Sequence, residues 1–309
     1  MSKAADYLIE LDKDDFRTLQ AIEVGMRTFE HVPVESIIEF SKLRHDRVLH
    51  NLDNLHSRDL ISRWKRQFTG YQLTHHGYDV LAFRALSERD TIVAIGRELG
   101  KGKESDVFLA YDEKQKTLVA KIHRVGRPSF KRSKRLRGYV GQRGHINWLY
   151  KSRLSAEREL AGLKIANKIK LKAPKVIDGN RHIVIMEFFE GTELVNYIDL
   201  KKPLKIFNGI ISEVRKLFVK GGIIHADLSE YNVILTPKQE FLLIDFPQFE
   251  MADHVNGKEL LFRDINNICK YFKRKFKIQS DPDLILETIL DEYEKLNKKR
   301  LIHKKLLKE

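Results

Sequence analysis

From about residue 6 to 90 the apolar positions first recur at helical spacing and then at every second residue. Phe16, Leu19, Ile22 and Val24 give the stretch from Asp12 to Met26 a helix with core-facing positions. Pro33 opens a second helix at a position where its missing donor costs little, and Ser41 or Lys42 ends it. A third helix is expected from about Arg44 to His56, with Val48, Leu49, Leu52 and Leu55 turned inward. The period then drops to two. Leu60 to Trp64 and Tyr71 to Thr74 flank the tip Lys65-Arg66-Gln67-Phe68-Thr69-Gly70, which predicts a hairpin, and a helix from Thr74 to Leu86 closes the segment.

Helix, helix, helix, hairpin is the order of a winged helix. In that arrangement the third helix enters a groove and the wing lies along a nucleic-acid backbone, with Arg44, His45, Arg47, Lys65 and Arg66 as candidate contacts. Solvated charge or a protein-binding surface is the competing reading of the same residues. His75 and His76 read as surface residues at a helix start, since no third ligand lies at metal-binding spacing. From Ile92 the pattern is strand-rich, and after about Leu194 it is helix-rich. The segment Arg124 to Arg143 holds eight Lys or Arg and no carboxylate, which predicts a self-repelling loop, either a solvated insertion or a sensor of RNA or nucleotide. Leu284, Ile285, Ile289, Leu290 and Tyr293 mark a last, core-packed helix, followed by a basic tail from Lys298 to Lys308.

Composition narrows the classes. A chain of 309 residues suits two domains. Cys269 stands alone, which excludes an intramolecular disulfide and a cysteine-based zinc site. The formal net charge of +14 favours a phosphate-rich partner such as RNA. Asp6, Glu10 and Asp12 near the start are unlike a signal peptide, and no apolar run has the length of a membrane span; a cytoplasmic protein with no membrane contact is expected.

The chemistry begins at Ile95 to Ala110, read as strand, glycine turn, strand. Glycines in the turn Gly100-Lys101-Gly102-Lys103-Glu104-Ser105 let backbone amides approach phosphates, and Val107 follows in the second strand. Lys121, in the next strand, is placed to hold the α and β phosphates and needs a carboxylate. The helix Leu154 to Ala166 offers Glu159, on a core-facing side, with Glu157 as the alternative. The strand His182 to Glu187 runs into Phe188-Phe189-Glu190-Gly191, where Met186 would line an adenine pocket and main-chain groups of Glu187 and Phe189 would bind the base. In His225-Ala226-Asp227-Leu228-Ser229-Glu230-Tyr231-Asn232, an Asp and an Asn lie five residues apart, which is the spacing of a kinase catalytic loop. Asp227 would position the nucleophile. Asn232 and Asp245, the latter at the end of the hairpin Val233 to Ile244, would bind Mg2+. No Ala-Pro-Glu triplet or long activation segment follows Asp245, so the usual platform for a peptide substrate is missing.

Taken together, Gly102 to Ser105, Lys121, His225 to Asn232 and Ile244-Asp245-Phe246-Pro247-Gln248 resemble the RIO family of atypical protein kinases. The preceding winged-helix-like region makes the chain most similar to its Rio2 subfamily. The resemblance implies an α+β chain, with an N-terminal winged-helix domain (1–90) and a truncated bilobal protein-kinase-like RIO domain (91–285). The N-lobe is expected at about 91–187, the C-lobe at about 190–285, and a helix with a basic tail at 286–309. It implies ATP with Mg2+, or Mn2+ in its place, phosphate contact by Ser105, an ion pair of Lys121 with Glu159, catalysis by Asp227, and metal binding by Asn232 and Asp245. It also implies serine autophosphorylation or an ATPase cycle, and a role on the small ribosomal subunit precursor and its rRNA. An RNA-binding assembly factor with a nucleotide-controlled switch and little trans-kinase activity is the second reading.

Overall fold

A computed structural model describes residues 3–125 and 148–306, so most of the basic segment 124–143 lies outside the described residues. The chain divides into two compact units, residues 1–157 with 177–186, and residues 158–176 with 187–309.

The first unit begins with helices α1 (Lys3–Glu10), α2 (Lys13–Gly25), α3 (Val34–Ser41) and α4 (His45–Ser57), with the short strand β1 (Val32–Pro33) before α3. The hairpin β2 (Ile61–Lys65) and β3 (Thr69–Leu73) and helix α5 (His75–Ser87) follow. Asp12 caps α2 through a capping box with Asp15, which satisfies amides that the first turn would leave open. Pro33 stands at the N-cap of α3 instead of inside it, and Lys42 closes that helix in the left-handed region. Phe16, Leu19, Ile22, Val48, Leu52 and Leu55 are buried as their spacing requires. Val24 and Leu49, expected inward, are 42% and 39% exposed, because the buried stripe on α2 and α4 is narrower than their apolar content. Helix α1 has no counterpart in the sequence reading. The sheet order β1-β3-β2 completes a winged helix.

The same unit contains the antiparallel hairpin β4 (Ala94–Lys101) and β5 (Ser105–Tyr111), then β6 (Thr117–His123), β7 (Val176–Asn180) and β8 (Ile183–Glu187), in the order β4-β5-β6-β8-β7. Helix α6 (Trp148–Lys168) starts earlier than Leu154. Its first residue packs on His75 with the rings tilted by 38° and centroids 3.4 Å apart, so His75 is half-buried against Trp148 where a surface residue is expected.

A buried polar cluster ties α5 to this sheet. Arg124, just beyond β6, donates from both terminal nitrogens to the Asp79 carboxylate of α5 at 2.6 Å, and from Nε to Asp106 of β5 at 3.2 Å. His182, before β8, reaches Asp79 through Nε2 at 2.7 Å and stacks on Tyr78 at 4.5 Å. Burial alone raises the Asp79 carboxyl, but hydrogen bonds from His182 and Arg124 and the Arg124 charge bring it down to about 2. Burial pushes the His182 imidazole down, against the upward pull of the Asp79 carboxylate that it bonds. Arg124, expected in the self-repelling loop, is instead 7% exposed.

In the second unit, β9 (Thr192–Glu193) and the hairpin β11 (Val233–Leu235) and β12 (Phe241–Leu243) make a small sheet, and β10 (Ile223–Ile224) pairs with β13 (Glu250–Met251). Helices α7 (Pro203–Val219), α8 (Gly257–Phe276) and α9 (Pro282–Leu306) surround them. In α9, Ile289 is buried as expected and Tyr293 packs on Phe218 at 4.7 Å. Leu286 takes the core position, whereas Leu284 is 62% exposed.

Candidate active site

The residues of the His225–Asn232 loop and of Asp245 lie in the second unit and are gathered by strand register. Val233 pairs with Leu243, and the Ile244 amide donates to the Asn232 carbonyl at 3.0 Å, so Asn232 and Asp245 emerge side by side from adjacent strands. Asn232 donates from Nδ2 to the Asp227 carbonyl at 2.8 Å, so that Oδ1 is the atom with which it would ligate a cation. An amide oxygen beside a carboxylate is a hard oxygen set of the kind Mg2+ prefers. His225 bonds the Ile244 carbonyl through Nε2 at 2.9 Å, and its ring packs on the fully buried Phe246 at 4.7 Å. The loop and the Asp245 segment are thus locked to each other from both sides.

Asp264 of α8 holds the loop from beneath. Its carboxylate accepts the Ala226 amide at 2.7 Å and the Leu228 amide at 3.0 Å, and the neighbouring Arg263 binds the Ala226 carbonyl. The two amides flanking Asp227 are tied down, Ala226 is held at φ +61°, and the Asp227 side chain itself is exposed. Burial pushes the Asp264 carboxyl up to about 6, against the pull of His225, the two amides and Arg263. Asp245 is also left-handed, at φ +70°. Such backbone costs about 1–3 kcal/mol and persists where surrounding structure enforces it.

The remaining candidates are placed as follows. Gly100 and Lys101 end β4, Ser105 opens β5, and the Gly102 amide closes the turn on the Ser105 carbonyl at 2.7 Å. Lys103 and Glu104 form the tip, and the Arg124 amide donates to the Glu104 carbonyl at 2.6 Å. Val107 stands opposite Lys121 in the β5–β6 register, and Lys121 is 9% exposed. Glu159 is 1% exposed, whereas Glu157 is half-exposed and paired with Arg153 one turn away. Met186 is buried at the end of β8, and the Glu187 amide donates to the Lys175 carbonyl at 2.9 Å; Phe189 is half-buried. Of the basic candidates, Arg47 is held by Asp12 and Asp14, while Arg44, Lys65 and Arg66 are exposed.

The family model of the RIO domain matches residues 106–303, and that of the Rio2 N-terminal domain matches residues 8–89. The chain belongs to the RIO family. Within the RIO family it is similar to the RIO-type serine/threonine-protein kinase Rio2 of Methanocaldococcus jannaschii, 39% identical over 84% of this chain and 96% of that protein. It is 36% identical to the serine/threonine-protein kinase rio2 of Dictyostelium discoideum over 86% of this chain, yet spans only 51% of that longer relative. The structure of the Chaetomium thermophilum Rio2 kinase–ADP/Mg2+–phosphoaspartate complex superposes with a TM-score of 0.78 at 28% identity, covering 96% of this chain and 98% of that one. The architecture is accordingly the mixed α+β RIO fold, a winged helix followed by a bilobal kinase domain.

Two positioning residues of this RIO site escaped the sequence reading. Asp264 sits in an amphipathic helix where a carboxylate reads as surface charge. Arg158, on α6, donates to the Pro247 carbonyl at 2.9 Å, pairs with Glu250 at 3.3 Å and lies over the Phe249 ring, thereby bracing the segment that follows Asp245.

Proposed function

We propose that the chain transfers the γ-phosphoryl group of ATP, with Mg2+, to a hydroxyl or carboxylate acceptor or to water, and that it acts in the cytoplasm in small-subunit maturation. The observation that carries this reading is the joint fixing of Asp227, Asn232 and Asp245 by the β11–β12 register and by Asp264. Asp227 orients the nucleophile and takes its proton. Asn232 and Asp245 hold Mg2+, which when bound offsets charge on the β and γ phosphates. Lys121, paired with Glu159, holds the α and β phosphates; the burial of Glu159 and the Arg153 pairing of Glu157 favour this choice. The turn from Gly100 to Ser105, with Val107, covers the phosphates, and Met186, Glu187 and Phe189 receive adenine.

The Chaetomium thermophilum relative is a complex with ADP, Mg2+ and phosphoaspartate, which favours a carboxylate acceptor beside serine. For Asp245 as acceptor, its carboxylate oxygen bonds the γ-phosphorus while the bond from that phosphorus to the ADP oxygen breaks. Asp227→Ala and Asp245→Ala should each abolish ATP-dependent phosphorylation and hydrolysis with circular dichroism unchanged. Turnover retained in both variants, at controlled metal concentration, would falsify the mechanism. A hydroxylamine-labile adduct identifies the aspartate route, and an acid-stable phosphoserine identifies the serine route.

RNA of the small-subunit precursor is the proposed partner, contacted by the winged helix through Arg44, Lys65 and Arg66. The net charge of +14 supports this reading. Arg47 is less suited than the other three, because Asp12 and Asp14 already neutralise it.

A further inference from the structure

The winged helix carries an aromatic surface that its core does not use. Along β2, Ile61 points into the core, so alternation sends Ser62 and Trp64 to the outer face; along β3, Tyr71 and Leu73 are buried inward and Gly70 lies outward. Trp64 and Gly70 are directly opposed in the β2–β3 register, and Gly70 pairs on its other side with Pro33. The rings of His31 and Trp64 stack across the glycine, centroids 5.1 Å apart and 18° from parallel, and Phe68 leans on Trp64 at 4.9 Å. A Cβ on Gly70 would sit 2.8 Å from Phe68 Cε2 and 2.9 Å from His31 Cβ, so the missing side chain is what lets three rings meet. Phe68 remains 43% exposed at the tip.

Charge identifies the occupant. From Ser62 to Gln72 there is no carboxylate, and Lys65 and Arg66 beside the rings are exposed and make no ion pair among the described residues. The third helix, α4, offers little by comparison: Asp46 lies 3.6 Å from Arg44, Asp53 holds Arg63, and Arg47 is tied to α2. A ring cluster with one exposed and two half-buried members, flanked by exposed cations, has the elements of a single-stranded nucleic-acid platform, where bases stack and phosphates are neutralised. We propose that the wing, ahead of the third helix, is the main RNA-contacting element, and that His31, Trp64 and Phe68 stack an unpaired base while Lys65 and Arg66 hold the adjoining phosphates. This deepens the RNA reading above and rests on it.

The test uses the full chain with single-stranded oligoadenylate and a blunt RNA duplex of equal length, over a salt series. Trp64→Ala and Phe68→Ala should weaken oligoadenylate binding about tenfold or more, leave duplex binding within about twofold, and keep the salt slope. Phe68→Leu, which keeps apolar bulk at the exposed tip, should weaken it too and guards against misfolding as the cause. The pair Lys65→Gln with Arg66→Gln should lower the salt slope by about 0.7 per lost phosphate contact. If the lysine and arginine variants weaken binding but the aromatic ones do not, the RNA reading stands and stacking is overturned, leaving the ring face to a protein partner. If wild type binds neither RNA, both readings fail.

Discussion

Replacing Arg124 with Met tests the cluster that joins the winged helix to the first sheet. The guanidinium is 7% exposed and lies between two carboxylates, Asp79 at 2.6 Å and Asp106 at 3.2 Å. Taking away one partner of a buried pair costs about 3–5 kcal/mol, a large part of the roughly 5–15 kcal/mol that holds a domain folded. Because Asp79 belongs to α5 and Arg124 to the end of β6, the loss should fall on the docking of one onto the other. Limited proteolysis at the connecting residues 88–93 should therefore accelerate before the rest of the chain is cut. A double-mutant cycle with Asp79→Leu isolates the pair, and a coupling of at least about 2 kcal/mol is expected from denaturant unfolding. A coupling below about 0.5 kcal/mol, or unchanged cleavage at the connection in Arg124→Met, would refute the argument.

Other outcomes follow from the same geometry. Asp79 is lowered from 3.8 to about 2, so it contributes about 2 kcal/mol that is complete above about pH 4 and is lost as pH falls through about 2; Asp79→Asn should flatten that limb of an acid unfolding curve. Asp264→Asn puts an amide against two N–H donors and should lower kcat about tenfold to a hundredfold while nucleotide affinity changes little, as read by steady-state kinetics and nucleotide titration. With its carboxyl raised to about 6, Asp264 takes up a proton as pH drops through that value, so wild-type activity should decline below about pH 6 and Asp264→Asn should lack that decline. In Gly77→Ala, the new methyl overlaps the Leu60 carbonyl at the start of α5, and a loss of about 3 kcal/mol is expected in denaturant unfolding.

What could be read from the chain in advance was local or motif-bound. Asp12 before an apolar stripe, the change of period at Leu60, and the five-residue step from Asp227 to Asn232 each carry their meaning within a short window. The hairpin after the loop is equally local, and its register brings Asn232 beside Ile244, one residue before Asp245. What escaped depends on distance along the chain. Asp79, Arg124 and His182 are 45 and 58 residues apart, and each alone resembles a surface charge. In sequence Arg124 belongs with the cations that follow it, and a run of like charge hides a member that folds inward. Asp264 shows the same limit: only the backbone of a loop 36 to 38 residues earlier reveals what its carboxylate is for. Val24 and Leu49 erred in the opposite direction, since apolar residues beside a buried stripe need not belong to it.

The salt-bridged knot of Asp79, Arg124 and His182 has a mechanical consequence. Arg124 lies three residues beyond Lys121 on the same run of chain, and its grip on α5 turns the winged helix into a lever arm bolted to that strand. A displacement of α5 would therefore be passed on as torque to the run of chain that carries the lysine.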